Sequence, residues 1–382
     1  MADKHLTEGT LGAYDEDNAG AAAGGAGVYG TRQMAGTPAD TVTRLLGDYI
    51  DSFPIPTEKP AWIDRTKFTS FDFGELKSGA KMVEFELPYL LLEGPSLLYA
   101  LGRIAAAPTG GDNAYVHTIT PIEPAHAIEL PSRTFHIQIE NSLTTSRYID
   151  ICGVITNAID VGGDDKNAAV TVKEKFLGQR ITDENATTDL DGVASAGSED
   201  DAQDFTAAPA FYDSNLTYED PYYLESIIMG GVNITKDIKS WNINTINEFV
   251  SRRANRTGTD NYGRTINNYV GAHYLKKRRY SVALNLLPTD ETYPFWVKMQ
   301  EGDVANNDLV ISLTRTKSHD SIENTIVYTF DTSVCPITDI SGMVNFALAN
   351  EQAWAFLLRP KTLTNVVITD DIANYGDYEP NA

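Results

Sequence analysis

Cysteine, positive charge and long apolar runs are all scarce in this sequence of 382 residues. Its two cysteines, Cys152 and Cys335, form no CxxC pair, so the spacing of a zinc site or a redox-active dithiol is missing, and two cysteines cannot provide a disulfide framework. Thirty basic residues stand against 53 acidic ones, which gives a net charge of −23. Such a surface repels DNA and anionic membranes unless its basic residues gather on one face.

The longest apolar stretch is also unsuited to a membrane. It runs from Leu87 to Ala107 and is interrupted by Glu93, Pro95 and Arg103. Because charges and a proline break the run, it makes a poor membrane span, and we expect no membrane partner. The apolar fraction of 42% still supplies ordinary folded cores.

Motifs of common catalytic sites are missing as well. GELKSGAK places Gly74 and Gly79 at the spacing of a phosphate-binding loop, but Ala80 stands where that loop requires lysine. The six histidines contain no HExxH pair, although His117 and His136 lie in separate predicted strands and could meet. We therefore predict no catalytic residue, no cofactor and no metal site, and we expect that the chain is not an enzyme.

What the sequence does contain is a frequent alternation of apolar and polar residues. KMVEFELP, RTFHIQIENS and DLVISLTR alternate in this way, which is typical of half-buried antiparallel strands. Two short stretches have helical spacing instead, one after Pro95 and one around Phe295. These patterns predict a mainly β fold with minor α.

One stretch, KMVEFELPYLLLEGPSLLYALG, returns later as YSVALNLLPTDETYPFWVKMQEG. Pro88 and Gly102 of the first copy each have a counterpart 200 residues later, at Pro288 and Gly302. Further segments recur in the same order, so we predict two tandem β units, although chance likeness among β proteins is an alternative. The expected core of the repeated unit, with both cysteines as buried apolar residues, comprises Phe85, Leu87, Leu97, Leu101, Cys152, Leu286, Phe295 and Cys335.

Composition divides the chain into five parts. The first is a flexible arm rich in Gly and Ala, followed by a short amphipathic helix whose apolar residues are Val42, Leu45, Leu46, Tyr49 and Ile50. The predicted boundaries are residues 1–60 for the arm and helix, 61–182 for the first β unit, 183–223 for an acidic linker or loop, 224–375 for the second β unit and 376–382 for a C-terminal tail.

A cluster of seven basic residues stands out against this acidic background. If Thr245–Val250 and Tyr274–Tyr280 pair as a hairpin, the cluster gathers along its distal part. It is then a solvated hairpin, or a surface that docks onto an acidic face of another copy, where opposite charges set the register. DNA binding is a third interpretation, which the charge of the remaining chain opposes. The seven residues are Arg252, Arg253, Arg256, Lys276, Lys277, Arg278 and Arg279.

Several short pieces follow one another in a recognisable order. They are Tyr29-Gly30-Thr31 before Thr37-Pro38, then FELPYLLLEGPSLLYALG, then His117-Thr118-Ile119-Thr120-Pro121, and then Arg147-Tyr148 before Cys152-Gly153. In this order they resemble a tail tube protein, also called a major tail protein, of long-tailed viruses of bacteria and archaea. The resemblance covers residues 28–182 well and 224–372 loosely, while the Gly/Ala arm and the acidic connection depart from the family.

The resemblance implies a fold and a structural function. The units are expected to be β-sandwiches or barrels, each with a short flanking helix, whose sheets join edge to edge around a lumen and so remove exposed strand edges. With two units per chain, a homotrimer would form the pseudo-hexameric ring, in preference to a hexamer. Stacked rings would form the conduit for genome ejection into the host.

The resemblance also implies partners and a location. Besides other copies of itself, the chain would contact the tail terminator, tape measure and baseplate proteins, with viral DNA only as transient cargo of the lumen. It would reside in the virion tail, and in the host cytoplasm during assembly. The alternative is a carbohydrate- or surface-binding β-sandwich module of a virion or cell surface, which the 19 tyrosines and four tryptophans favour.

Overall fold

The computed structural model shows a chain built mainly from antiparallel strands, with two short α-helices among the described residues. The predicted mainly β fold with minor α is therefore confirmed. The structure describes residues 9–15, 43–45, 58–65, 75–91, 94–104, 108–111, 114–123, 130, 132–142, 145–165, 169–178, 180–184, 221–253, 258–259, 265–266, 270–301, 308–316, 323–330, 335–341 and 353–370.

The elements are numbered in chain order. The helices are α1 (Pro95–Leu101) and α2 (Tyr293–Glu301). The strands are β1 (Gly9–Asp15), β2 (Thr43–Leu45), β3 (Glu58–Arg65), β4 (Glu75–Leu90), β5 (Gly102–Ile104), β6 (Thr109–Gly111), β7 (Ala114–Pro121), β8 (Arg133–Ser142), β9 (Thr145–Asp164), β10 (Thr171–Gly178), β11 (Arg180–Glu184), β12 (Tyr223–Met229), β13 (Val232–Asn233), β14 (Ile238–Arg253), β15 (Gly258–Thr259), β16 (Thr265–Ile266), β17 (Val270–Leu286), β18 (Leu309–Thr316), β19 (Glu323–Phe330), β20 (Ile337–Ser341), β21 (Trp354–Leu358) and β22 (Leu363–Asp370).

The larger sheet contains the same arrangement of four strands twice. Its hydrogen-bonded neighbours run in the order β3-β4-β10-β9, which we call the first group, and then β14-β17-β21-β20, the second group. In each group the second strand leads into a helix, since α1 follows β4 and α2 follows β17. Of the remaining strands, β8 and β11 pair with the first half of β9, β1 pairs with β8, and β2 pairs with β1.

The two groups meet where β9 pairs with β14. The antiparallel register runs from Ser240 opposite Asp164 to Ile246 opposite Ala158. Gly162 is required here, because a Cβ atom at this position would lie 2.6 Å from the carbonyl oxygen of Trp241. The junction is thus a close strand contact built into the chain.

The smaller sheet joins the two halves of the sequence a second time. Its order is β13-β12-β18-β19-β22-β7-β5, with β6 also paired to β7. β12 comes after the first group but pairs with β18 of the second half, whereas the last strand, β22, pairs with β7 of the first half. Apolar residues from both halves therefore belong to one buried cluster.

The expected core residues whose side chains are described all lie in this cluster. Phe85, Leu87, Leu97, Leu101, Leu286, Phe295 and Cys335 are at most 7% exposed. The ring of Phe85 stacks on that of Phe176 with 4.8 Å between centroids, and burial raises the pKa of the Cys335 thiol to about 12. The backbone of Cys152 lies in β9, but its side chain is outside the described part of the chain.

The ends of α1 follow from its sequence. Pro95 occupies its first turn, where a missing N–H costs nothing. Gly102 ends the helix in the left-handed conformation, with φ of 103°, and its N–H donates to the carbonyl oxygen of Leu98. A side chain at Gly102 would also collide with Ile122 and Leu130.

Three predictions for the less regular segments can be compared with the structure only in part. Gly9–Asp15, which belongs to the predicted flexible arm, forms a strand on β8. Thr43–Leu45 pairs with β1 as a strand, so the predicted helix is wrong at these residues, because the hydrogen bonds of a sheet edge outweigh a helical spacing of apolar residues. The acidic segment 185–220 and the tail 376–382 lie outside the described residues.

Candidate assembly surfaces

The larger sheet has an open edge at each end of its two groups. Within the described ranges, β3 pairs only with β4, and β20 pairs only with β21. An open edge offers unpaired N–H and C=O groups to another strand. Pro60 lacks an N–H, so β3 has one donor fewer than an ordinary strand, as is common on sheet edges.

The second candidate surface is the hairpin formed by β14 and β17. The expected pairing of Thr245–Val250 with Tyr274–Tyr280 is present, with Thr245 opposite Tyr280 and Val250 opposite Tyr274. The pairing of β14 with β9 ends at Ile246, so the distal part of the hairpin extends beyond that junction.

The seven basic residues of the sequence cluster do not share one environment. Lys276, Lys277 and Arg279 are exposed on the hairpin, and Arg279 forms an ion pair with Glu248. Arg252 and Arg253 belong to β14, but their side chains are not described. Arg256 is outside the described residues, so its prediction as a contact stays a prediction.

Arg278 points inward and binds the chain's own backbone. Its guanidinium donates to the carbonyl oxygens of Leu101 at 3.1 Å, Ile122 at 3.3 Å and Ala100 at 3.4 Å. It also donates to Oδ1 of Asn247 at 2.7 Å. A cation at the C-terminal end of α1 meets carbonyls that lack helical partners. Arg278 therefore joins the hairpin to α1 within the chain, and its predicted contact with another copy stays a prediction.

The opposite side of the hairpin is both cationic and apolar. Val250 is 52% exposed and Tyr274, directly opposite, is 42% exposed. Glu248 is paired with Lys277, and the next residue, Phe249, is paired with Leu275. Lys276 between them has no partner on β14 and forms a bulge in β17. We call this surface the hairpin face; it comprises Ile246, Val250, Tyr274, Lys276, Lys277 and Arg279.

A third surface feature is a group of aromatic rings at α2. Tyr293 is exposed, and its ring stacks on that of Trp296 with 5.6 Å between centroids. Trp296 in turn lies 6.4 Å from Trp354 of β21, measured between ring centroids. We call Tyr293, Trp296 and Trp354 the aromatic platform.

Ionic and polar groups also lie inside the fold, where sequence reasoning did not expect them. Glu174 is fully buried, and its carboxylate accepts from Arg133 at 2.8 Å, Thr156 at 2.5 Å and Tyr89 at 2.8 Å. The guanidinium of Arg133 lies 4.0 Å from the centroid of the Tyr99 ring. Burial and the negative charge of Glu174 raise the pKa of Tyr89 well above its ordinary value. This network, closed to solvent, holds β4, β8, β9 and β10 together.

A signal for this network was present in the sequence. In TVKEKFLG, the alternation of side chains places Glu174 on the same face as Val172 and Phe176, which are apolar. A buried charge needs a partner, so the position of Glu174 on this face indicates a buried cation nearby. The sequence did not indicate that Arg133 would be that cation.

The part of the chain that the structure describes lacks a cluster of metal-ligating side chains. No group of three or more His, Cys, Asp or Glu side chains there could hold a metal ion. None of the helices in the described ranges is long and apolar enough to cross a membrane. No model of a known protein family matches the chain, and a comparison with curated proteins returns no match.

Proposed function

We propose that this chain is a tail tube subunit, a structural virion protein whose copies join through the open edges of the larger sheet into rings. The rings would stack into the conduit for genome ejection. The repeated order of strands in the larger sheet is the observation that supports this proposal most strongly.

The junction between the two groups serves as a model for the proposed contact between two copies. Within the chain, the last strand of the first group, β9, pairs with the first strand of the second group, β14. β20 is the last strand of the second group and β3 is the first strand of the first, and both have open edges among the described residues. Because strand directions alternate across the sheet, β20 of one copy would also meet β3 of the next in antiparallel orientation. The same contact can thus be repeated from copy to copy.

Such head-to-tail contacts form a ring when the rotation between neighbours closes. A chain with two groups would need three copies to supply six groups, so we favour a trimer over a hexamer. The net charge of −23 suits a conduit, because a wall with few phosphate contacts lets DNA slide without being held.

The proposal is tested by electron microscopy of the purified chain and of a variant with an altered edge. Arg359, directly after β21, donates its N–H to the carbonyl oxygen of Pro336, so by the alternation of an antiparallel pair Ile340, opposite Phe356, directs its own N–H to the open edge. Ile340→Pro removes this donor, and Ile340→Ala is the matched control that keeps it. We expect rings or tubes for the wild type and Ile340→Ala, and monomers with the melting temperature of Ile340→Ala for Ile340→Pro. Wild-type protein that stays monomeric at every salt concentration, and is absent from virions, would refute the proposal.

A second candidate function is carbohydrate binding, which the aromatic platform favours. The stacked rings of Tyr293, which is exposed, and of Trp296, which is half-buried, offer an apolar face on which a sugar ring can pack. A glycan array with the wild type and Tyr293→Ala tests this function, and Tyr223→Ala, which removes another exposed tyrosine, is the control. A saturable signal lost only in Tyr293→Ala would support binding, whereas no signal for the wild type would exclude the glycans on the array.

A further inference from the structure

The hairpin face offers positive charges that the described part of the fold does not use. Lys276 and Lys277 are exposed, and neither forms an ion pair with a described residue. Arg279 has Glu248 as its partner, so Lys276 and Lys277 are the charges available to another group. Beside them, Val250 and Tyr274 expose apolar surface. A fitting partner would therefore combine carboxylates with an apolar or aromatic side chain.

The chain itself contains such a partner between β11 and β12. Residues 185–220 carry nine carboxylates and no basic residue. The densest part is SEDDAQDF, in which Glu199, Asp200, Asp201 and Asp204 precede Phe205. This sequence has the composition that the hairpin face would bind, namely clustered negative charge followed by an aromatic ring.

The segment also starts at the end of the larger sheet where the distal part of the hairpin lies. β11 ends with Glu184 opposite Tyr148, near the beginning of β9. β14 pairs with the end of β9, and beyond Ile246 it continues toward the beginning of that strand. The distal hairpin and the end of β11 therefore lie at the same end of the larger sheet. The 15 residues from Glu184 to Glu199 can span up to about 50 Å, which suffices for a contact within one copy.

We propose that the segment Glu199–Phe205 docks onto the hairpin face of its own copy, with its carboxylates on Lys276 and Lys277 and Phe205 against Val250 and Tyr274. The docked segment masks the exposed lysines of an otherwise acidic subunit. It thereby lowers the affinity of the chain for nucleic acid and other polyanions. The inference concerns the single chain and does not depend on ring formation.

The first test is zero-length carbodiimide cross-linking of the full chain in low salt, followed by mass spectrometry. Unlabelled and ¹⁵N-labelled chains are mixed in equal amounts, so that half of any links between copies carry both isotopes, whereas every link within a copy carries one. We expect links from Lys276 or Lys277 to Glu199, Asp200, Asp201 or Asp204, each within one isotope. Links of mixed isotope would show that a neighbouring copy is the occupant, and no link to this segment would refute docking; either result overturns the proposal.

The second test measures the masking by retention on a heparin column. One variant neutralises the segment by Glu199→Gln, Asp200→Asn, Asp201→Asn and Asp204→Asn. The matched control removes the same charge from four exposed carboxylates of the described fold by Glu84→Gln, Glu225→Gln, Asp290→Asn and Asp339→Asn.

We expect the segment variant to elute at clearly higher salt than the control variant, because it uncovers the hairpin face. Adding Lys276→Ala and Lys277→Ala to the segment variant is expected to abolish this difference. Equal elution of the two neutralised variants would overturn the proposal, as would a difference that remains after the two lysines are removed.

Discussion

Replacing Arg278 by alanine tests whether this residue stabilises the subunit itself. The change removes two short hydrogen bonds, to Asn247 at 2.7 Å and to Leu101 at 3.1 Å, and two longer ones. A hydrogen bond to a charged group contributes about 1.5–3 kcal/mol, so the two short bonds alone give a loss of about 3 kcal/mol in the free energy of unfolding.

Lys277→Ala is the matched control, because it removes the same charge from the neighbouring residue. Lys277 is exposed, and an exposed ion pair such as the one proposed above contributes little, so we expect a change of less than about 0.5 kcal/mol. Arg278→Lys keeps the charge but loses the planar group that reaches several carbonyls. We expect an intermediate loss of about 2 kcal/mol for this variant.

The assay is urea unfolding at a protein concentration at which the chain is monomeric, because assembly adds apparent stability. The midpoint should fall for Arg278→Ala with little change in the slope. If Arg278→Ala and Lys277→Ala unfold within about 0.5 kcal/mol of each other, Arg278 does not fasten the hairpin to α1, and the reasoning from its contacts fails.

Three further predictions concern buried polar groups and a backbone conformation. Arg133→Met should lower the free energy of unfolding in urea by about 3–5 kcal/mol, since it leaves the Glu174 carboxylate buried without its cation. Adding Glu174→Leu removes that carboxylate and should restore most of the lost stability. Equal stability of the single and double variants would contradict this prediction. Burial lowers the pKa of His273 to about 4, below its ordinary 6.5, so the unfolded chain binds the proton more tightly than the folded chain. The free energy of unfolding should therefore fall by about 3 kcal/mol as the pH drops from 6.5 to 4. His273→Gln should lose this part of the pH dependence, and the same dependence of stability on pH in the variant would refute the prediction. Gly102→Ala should cost about 2 kcal/mol or more in thermal unfolding, because a left-handed backbone is combined with a collision of the new Cβ atom with Ile122 and Leu130. Gly231→Ala is the control: its backbone is also left-handed but its Cβ atom would face open space, so it should cost about 1 kcal/mol. Equal losses for the two variants would show that the collision at Gly102 is relieved.

The parts of the fold that depend on local patterns could be predicted from the sequence. Alternating apolar residues indicated β4, β8 and β18, and Pro95 and Gly102 marked the ends of α1. The hairpin at the basic cluster also followed from strands on either side of a loop. These features depend on residues that are close in sequence, which is why they can be predicted from a single sequence.

The pairing of distant strands could not be predicted in this way. DLVISLTR of β18 and FHIQIENS of β8 have the same alternation of apolar and polar residues, but β18 belongs to the smaller sheet and β8 to the larger one. The exchange of β12 and β22 between the two halves has no local signal, because alternation shows which face is buried and not which strand lies alongside. The division into two units at residues 183–223 stays a prediction.

Arg278 illustrates a similar limit for the candidate surface. In the sequence it is one of four consecutive basic residues, and nothing distinguishes it from Lys276, Lys277 or Arg279. Strand alternation would assign it to the opposite face from Lys277 and Arg279. Only the position of α1 shows that this face meets helical carbonyls, and that position depends on residues more than 150 apart along the chain.

The structure also changes the offset between the two copies of the repeated stretch. The prolines and glycines suggest 200 residues, which would make Phe85 equivalent to Asn285. In the sheet, Phe85 faces Phe176 and Leu284 faces Phe356, so the buried residues Val83, Phe85 and Leu87 correspond to Val282, Leu284 and Leu286, 199 residues later. A slip of one residue would turn every side chain to the other face. Leu87 is followed directly by Pro88, whereas the second copy has the additional residue Leu287 between Leu286 and Pro288. Leu287 lies after the end of β17, and its N–H donates to the carbonyl oxygen of Asp237.

This corrected register also specifies where a second copy would join. Glu58 pairs with Val83 as Ile243 pairs with Val282, so Glu58–Ala61 of β3 correspond to Ile243–Ile246 of β14. Those residues of β14 form the junction with β9. An equivalent junction between copies would then place Pro60 where the chain's own junction has Thr245. Because proline has no N–H, the contact between copies can contain one hydrogen bond fewer than the contact within the chain. The edge that we propose for assembly should therefore separate more easily than the two groups of one subunit, which suits copies that assemble after they have folded.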